Sequence, residues 1–253
     1  MKLFYRVSGQ GHPLIILHGL LGSSDNWYSL AKTFSQHATV YLVDQRNHGQ
    51  SPHSEELNYP LLIEDLHSFI KENNIQKPDI IGHSMGGKVA MGFALKYSDL
   101  LRKLIVVDIV PKDYPIHHDT ILDGLNSIQI NELKSRTDAD EQLSKYVPEA
   151  SVRQFLLKNL GRDSNQQLEW KMNLAAIGNN IEKMSEGISN SHPYSKEALF
   201  IMGSRSNYFK KGDDKIIHKF FPKANIKLLD AGHWIHAERP VEFGHEIISY
   251  LKV

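Results

Sequence analysis

Gly82-His83-Ser84-Met85-Gly86-Gly87 lies between an apolar run, Pro78-Asp79-Ile80-Ile81, and the helix-forming stretch Lys88-Val89-Ala90-Met91-Gly92-Phe93-Ala94-Leu95. Strand, tight turn and helix follow in succession, with a serine at the apex of a Gly-x-Ser-x-Gly turn. That arrangement reads as a nucleophile elbow. The turn is sharp enough that its flanking positions must lack bulk, which accounts for Gly82 and Gly86. Its strain lifts the Ser84 hydroxyl above the sheet at the N-terminus of the following helix. Backbone N–H groups and the helix dipole favour developing negative charge there. The pentapeptide alone also describes an ordinary strand-to-helix turn, because glycine and serine are common in turns. Three other segments separate the two readings.

Leu14-Ile15-Ile16-Leu17-His18-Gly19-Leu20 is a buried strand that ends in a His-Gly step. Acyl transfer needs two backbone N–H donors aimed at an oxyanion. The residue after the nucleophile, Met85, supplies one, and Leu20 in this loop is the expected second. His18 is read as an orienter of the loop. Thr39-Val40-Tyr41-Leu42-Val43-Asp44-Gln45-Arg46-Asn47-His48-Gly49-Gln50-Ser51 is a strand running into a polar turn. Asp44 and Arg46 are expected to brace it as a local ion pair, and His48 reads as a solvated loop residue. Near the C-terminus, Ile226-Lys227-Leu228-Leu229-Asp230-Ala231-Gly232-His233-Trp234-Ile235-His236 presents a histidine just after the last strand. His233 is assigned as the general base, with His236 its rival, because Gly232 frees the backbone at His233. The His-x-x-His spacing also raises a metal site. No glutamate follows the first histidine as in a zincin helix, so neither a metal nor a cofactor is expected.

Together these segments resemble the α/β-hydrolase superfamily over most of the chain. Asn47 stands where the superfamily's Asp-x-Arg-Gly-x-Gly-x-Ser pattern has its first glycine, a tolerable change because asparagine accepts left-handed backbone angles. The resemblance implies a mostly parallel central sheet flanked by helices, with a helical cap inserted between strands six and seven. It also implies that the triad acid follows the next-to-last strand, Ala198 to Gly203. Ser206 occupies that place, and a serine cannot carry the charge. Leu104-Ile105-Val106-Val107-Asp108-Ile109-Val110-Pro111 offers Asp108 at the end of an apolar strand beside the serine strand. Val-Asp-Ile-x-Pro together with Gly-Ser-x-Ser is similar to the YbfF-type bacterial esterases. That likeness implies Asp108 as the acid and Ser206 as an accessory hydrogen-bonding member. Asp213 and Asp214, in a stretch that reads as a solvated helix start, remain rivals for the acid.

Residues 1–111 and 198–253 then form the core, and 112–197 the cap. Helical patterns inside the cap run from Ile116 to Ile128, Asp138 to Val147, Ser151 to Leu160 and Gln167 to Ile177. Phe155, Leu156, Leu160, Trp170, Met172, Leu174 and Ile177 are candidate pocket walls, most of them expected to be cap core. With 10 basic and 13 acidic residues, the segment has no cationic collar for a phosphate-bearing carrier, although Arg136 or Arg153 would serve locally.

The 253 residues suit one α/β domain, and 29 basic residues balance 29 acidic ones, leaving no basic stripe for nucleic acid. The absence of cysteine excludes thiol chemistry and disulfides and is compatible with a reducing cytoplasm. No signal-peptide pattern or membrane-spanning apolar run is present, so a cytoplasmic monomer or homodimer is expected. The function these features imply is serine carboxylester hydrolysis of short- to medium-chain acyl esters, with acyl thioesters as a further class. A lyase or carbon–carbon hydrolase using the same triad is the enzymatic alternative. A non-catalytic ligand-binding member of the fold is the alternative from another class.

Overall fold

A computed structural model describes residues 1–115, 119–188, 190 and 192–252. The main sheet has seven strands: β1 (Tyr5–Ser8), β2 (His12–Leu17), β3 (Ala38–Val43), β4 (Asp79–His83), β5 (Leu104–Val107), β8 (Ala198–Gly203) and β9 (Ala224–Leu229). Their spatial order is β1-β3-β2-β4-β5-β8-β9. Only β1 runs antiparallel, against β3; every other pairing is parallel.

Alternation along the strands explains the layering, because successive side chains leave opposite faces of a sheet. Leu14 and Ile16 of β2, Ile81 of β4, and Ile105 and Val107 of β5 pack into one core. It is closed by α1 (Tyr28–Phe34) and α11 (Pro240–Leu251). Ile15 and Leu17, Ile80, and Leu104 and Val106 point the other way. That face is covered by α2 (Tyr59–Glu72), α3 (Met85–Lys96) and α9 (Asp213–Phe220). With both faces buried, the strands read as continuous apolar runs, as parallel sheets do.

Between β5 and β8 the chain leaves the sheet. It forms α4 (Asp119–Ser127), α5 (Arg136–Leu143), α6 (Ala150–Leu157), the hairpin β6 (Leu160–Arg162) and β7 (Leu168–Trp170), α7 (Leu174–Asn179) and α8 (Ile181–Ser185). The short α10 (Ile235–Glu238) follows β9. Counted along this seven-stranded sheet, the insertion separates the fifth strand from the sixth; this is the connection the superfamily places between its strands six and seven. The helix expected over Gln167 to Ile177 is instead strand β7 followed by α7, because Leu168–Trp170 pairs with Leu160–Arg162. The first three residues of the pattern starting at Ile116 lie outside the described residues. Among the described residues, no helix is long and apolar enough to cross a membrane.

Candidate active site

Ser84 joins β4 to α3 with φ 52° and ψ −116°, a conformation that costs a non-glycine residue energy. The turn leaves no room beside it. A Cβ on Gly86 would stand 2.5 Å from the Leu17 carbonyl oxygen, and one on Gly82 would strike the Gly86 carbonyl. The strained serine is anchored on both sides. Its N–H donates to Val107 O at 3.0 Å, and its carbonyl accepts the Lys88 N–H at 3.0 Å in the first turn of α3.

Asp108 follows β5 directly and is fully buried, with φ 50°. Three donors converge on its carboxylate. Gly203 N–H reaches Oδ1 at 2.8 Å, and His233 Nδ1–H reaches Oδ2 at 2.7 Å. The Ser206 hydroxyl also donates to Oδ2. The structure therefore brings Asp108, His233 and Ser206 together. Asp213 is elsewhere: both its oxygens accept from Lys112 Nζ, at 2.7 and 2.6 Å, and it is buried rather than solvated. Asp214 is exposed at the start of α9.

The two histidines near the C-terminus have different surroundings. His233 stacks on Tyr208 with ring centroids 4.1 Å apart, and its carbonyl accepts the His83 Nε2–H at 2.9 Å. His236 is buried against Trp27, stacked at 4.3 Å, and burial pushes its imidazole down to about 3. Burial likewise holds His83 well below the ordinary histidine range. His83 is thus a neutral donor that fixes the His233 backbone, a role sequence reasoning missed. Its position next to Ser84 at the end of a buried strand was the available signal.

Backbone bonds from buried histidines also set the loop that carries Leu20. His18 donates from Nδ1 to Gly19 O at 2.8 Å and accepts the Gln45 N–H at 3.0 Å, which agrees with its reading as an orienter. His48 is fully buried rather than solvated. Its Nδ1–H donates to Arg46 O at 2.8 Å, and its Nε2 accepts the Leu21 N–H at 3.2 Å. Burial pushes this imidazole down to about 3, which keeps Nε2 an acceptor. The expected Asp44–Arg46 pair does not form. Arg46 makes a two-point pair with Asp65 at 2.6 and 3.0 Å, while Asp44 accepts the Ser24 and Gln50 N–H groups at 2.7 and 2.9 Å. Asn47 does adopt a left-handed φ of 64°.

Two clefts meet at Ser84, and Leu20 and Tyr208 border both. One, of about 480 Å³, is walled by Tyr59, Lys88, Ile109, Tyr114 and Met184, with Met85 at its edge. The other, of about 650 Å³, is walled by His233, Trp234, Ile121, Val152, Phe155 and Leu156. Of the expected wall residues, Phe155 and Leu156 line a cleft. Leu160, Met172 and Ile177 are buried in the core that continues from the sheet into the insertion, and Leu174 packs half-buried against it. Trp170 borders a separate surface groove near Arg162. Neither arginine of the insertion offered for phosphate faces Ser84: Arg153 pairs with Asp140 at 2.9 Å, and Arg136 donates to Leu160 O at 2.8 Å. Among the described residues, no group of three or more His, Asp or Glu side chains is gathered to hold a metal.

Comparison with known proteins agrees with this architecture. Residues 12–127 match the family model described as alpha/beta hydrolase fold. The chain is 40% identical to a zebrafish (Danio rerio) protein named sn-1-specific diacylglycerol lipase ABHD11, over 96% of this chain and 80% of that one. It is 34% identical to the Escherichia coli K12 protein named Esterase YbfF, over 94% of this chain and 92% of that one. A solved structure titled Marine microorganism esterase superposes with a TM-score of 0.95 at 42% identity, covering 98% of each chain. The chain belongs to the α/β-hydrolase family. Within that family it groups with proteins named as esterases and lipases, which bears out the resemblance to YbfF-type enzymes.

Proposed function

We propose that this protein is a serine carboxylester hydrolase for short- to medium-chain acyl esters, acyl thioesters included, with Ser84 as nucleophile, His233 as base and Asp108 as acid. The observation that carries the reading is the buried Asp108 carboxylate, which accepts from His233 Nδ1 in the cleft that opens on Ser84. That bond holds the imidazole with its proton on Nδ1, leaving the Nε2 lone pair to take the Ser84 proton as the hydroxyl attacks the acyl carbonyl. Negative charge then develops on the carbonyl oxygen. The Met85 N–H, one of the first-turn donors of α3 without an intrahelical partner, and the Leu20 N–H are the proposed oxyanion donors. His233 next delivers its proton to the leaving alkoxide, and water repeats the sequence on the acyl-enzyme.

The same logic orients the substrate. The leaving group must lie within reach of the imidazole, so the 650 Å³ cleft containing His233 and Trp234 receives the alcohol. The acyl chain then enters the 480 Å³ cleft beside Lys88. Residues 112–197 act as the cap, which covers the serine and contributes to both clefts.

The test is steady-state hydrolysis of p-nitrophenyl acetate, butyrate, octanoate and palmitate, with Ser84→Ala alongside. Rates peaking at the shorter chains and abolished in the variant are expected. Undiminished turnover in Ser84→Ala, or none in the wild type, refutes the reading.

A further inference from the structure

The acyl cleft contains a buried cation that ester hydrolysis does not require. Lys88 lies four residues after Ser84, on the same face of α3. Helical side chains lean toward the N-terminus, so its ammonium is carried back toward the serine. Only 1% of the residue is exposed, yet it lines the cleft that Ser84 opens into. Two of its three N–H donors are spent on carbonyls at the end of α8: Ser185 O at 3.0 Å, and Glu186 O. The ammonium also lies over the Tyr59 and Tyr114 rings, 5.2 and 5.1 Å from their centroids.

No carboxylate of the described residues stands within 4.0 Å of this ammonium. Asp113 and Glu186 are the acidic groups that influence it. Asp113 Oδ1 accepts the Gly187 N–H, and the Glu186 side chain is exposed. A buried charge without an opposite partner is costly, and proteins normally pair it. The desolvation is evident in the ammonium itself, which burial lowers to about 8 and which therefore still carries its charge near neutrality. The neighbouring hydroxyls are occupied: Tyr59 donates to Met184 O at 2.8 Å and Tyr114 to Tyr208 O at 2.7 Å. Among the described residues that line the cleft, that leaves the third Lys88 N–H as the charged donor without a protein acceptor.

We propose that Lys88 is an anion-recognition point in the acyl cleft, and that the acyl groups this enzyme prefers end in a carboxylate, as in half-esters of short dicarboxylic acids. The inference rests on the esterase reading and on the assignment of this cleft to the acyl chain. Bound substrate supplies the missing counter-charge. A charge-assisted hydrogen bond is roughly twice as strong as a neutral one, which makes the preference measurable.

The experiment compares monoethyl succinate, glutarate and adipate with their terminal primary amides, which match them in size but lack the charge. Ethyl butanoate serves as a neutral reference, and turnover is followed by pH-stat. At least one half-ester is expected to exceed its amide tenfold or more in kcat/KM. In Lys88→Met that ratio is expected to fall toward one, with Ser84 labelling by a fluorophosphonate reporting whether the variant is folded. The wild-type comparison is decisive without the variant. Turnover of ethyl butanoate with no carboxylate preference in the series overturns this inference alone and leaves Lys88 a strut between α3 and α8. A preference that persists unchanged in folded Lys88→Met also overturns it. No turnover of any ester would overturn the esterase reading and this inference with it.

Discussion

Replacing Asp108 by asparagine changes one atom and removes one charge, and the structure indicates where the new amide nitrogen must go. Three donors meet this side chain. Gly203 N–H on Oδ1 belongs to a backbone paired in β8 and cannot turn away. The two donors on Oδ2, the Ser206 hydroxyl and the His233 imidazole, can both rearrange. The amide oxygen therefore keeps the Gly203 bond, and the NH₂ group takes the Oδ2 position facing His233. An NH₂ group there needs an acceptor, so the imidazole shifts its proton from Nδ1 to Nε2. In that tautomer it has no lone pair for the Ser84 proton. Loss of the acid in a Ser-His-Asp triad by this route costs about 10⁴-fold in kcat. At 1.36 kcal/mol per tenfold, that is about 5.4 kcal/mol of barrier. The assay is kcat for p-nitrophenyl butyrate in wild type, Asp108→Asn and Asp213→Asn, with thermal melting of each. Asp213→Asn should change kcat little, since that carboxylate is engaged with Lys112. If folded Asp108→Asn kept kcat within tenfold of wild type, the tautomer argument and the assignment of the acid would both be wrong.

Three other expectations follow from the same geometry. Ser206→Ala removes one donor from a buried carboxylate, a bond worth about 1.5–3 kcal/mol; kcat should drop roughly ten- to hundredfold, and an unchanged kcat would show that Ser206 is dispensable. His48→Leu leaves the Leu21 N–H without its acceptor, at a cost of about 1–3 kcal/mol; urea unfolding should report the loss, and a midpoint equal to wild type would contradict it. Stability should also fall with acidity. His48 and His236 are pushed down to about 3 by burial, so below pH 6.5 the unfolded chain takes up protons that the folded chain refuses. The stabilisation is whole above that range and declines toward pH 3, at about 1.4 kcal/mol per pH unit for each histidine. Urea midpoints at pH 7.5 and 5.0 test this, and equal midpoints would refute it.

Residues whose role follows from backbone geometry were legible in the sequence. Gly82 and Gly86 announce the elbow because no other residue fits so tight a turn, and the apolar runs of β2, β4, β5 and β8 announce a doubly covered parallel sheet. The partners of polar side chains were not legible, because they are set by distant segments. Arg46 finds Asp65 on α2, nineteen positions along the chain, rather than its neighbour Asp44. His48 looks like a loop residue until the Leu20–Leu21 loop folds over it. The hairpin β6–β7 was missed for a related reason. Three-residue strands carry too little periodicity to compete with the helical spacing around them, and only their pairing defines them.

If Asp108 is the acid, as proposed, its position explains why such a site tolerates change in sequence more readily than in geometry. Strands β5 and β8 are adjacent and parallel, about one 4.8 Å strand spacing apart, with Val107 at the end of β5 beside Ile201, two residues short of the end of β8. A carboxylate launched from either end reaches nearly the same point above the sheet. Here it comes from β5. The backbone at Asp108 turns to φ 50°, its N–H donates to Ile201 O on β8 at 2.9 Å, and its Oδ1 accepts from Gly203 on the same strand. Ser206, three residues past Gly203, is thereby freed from carrying charge and becomes a donor to the carboxylate. His233 meets its acceptor at the end of β5, where the proposed mechanism needs one. Moving the acid back to β8 would therefore require two changes together, a carboxylate at 206 and loss of the one at 108. Two carboxylates sharing the site would repel, and one would stay protonated. Ser206→Asp alone should accordingly impair kcat, and Ser206→Asp with Asp108→Asn should recover part of what Asp108→Asn loses. If the double variant were no better than Asp108→Asn, the two strand ends would not be equivalent launch points for the acid.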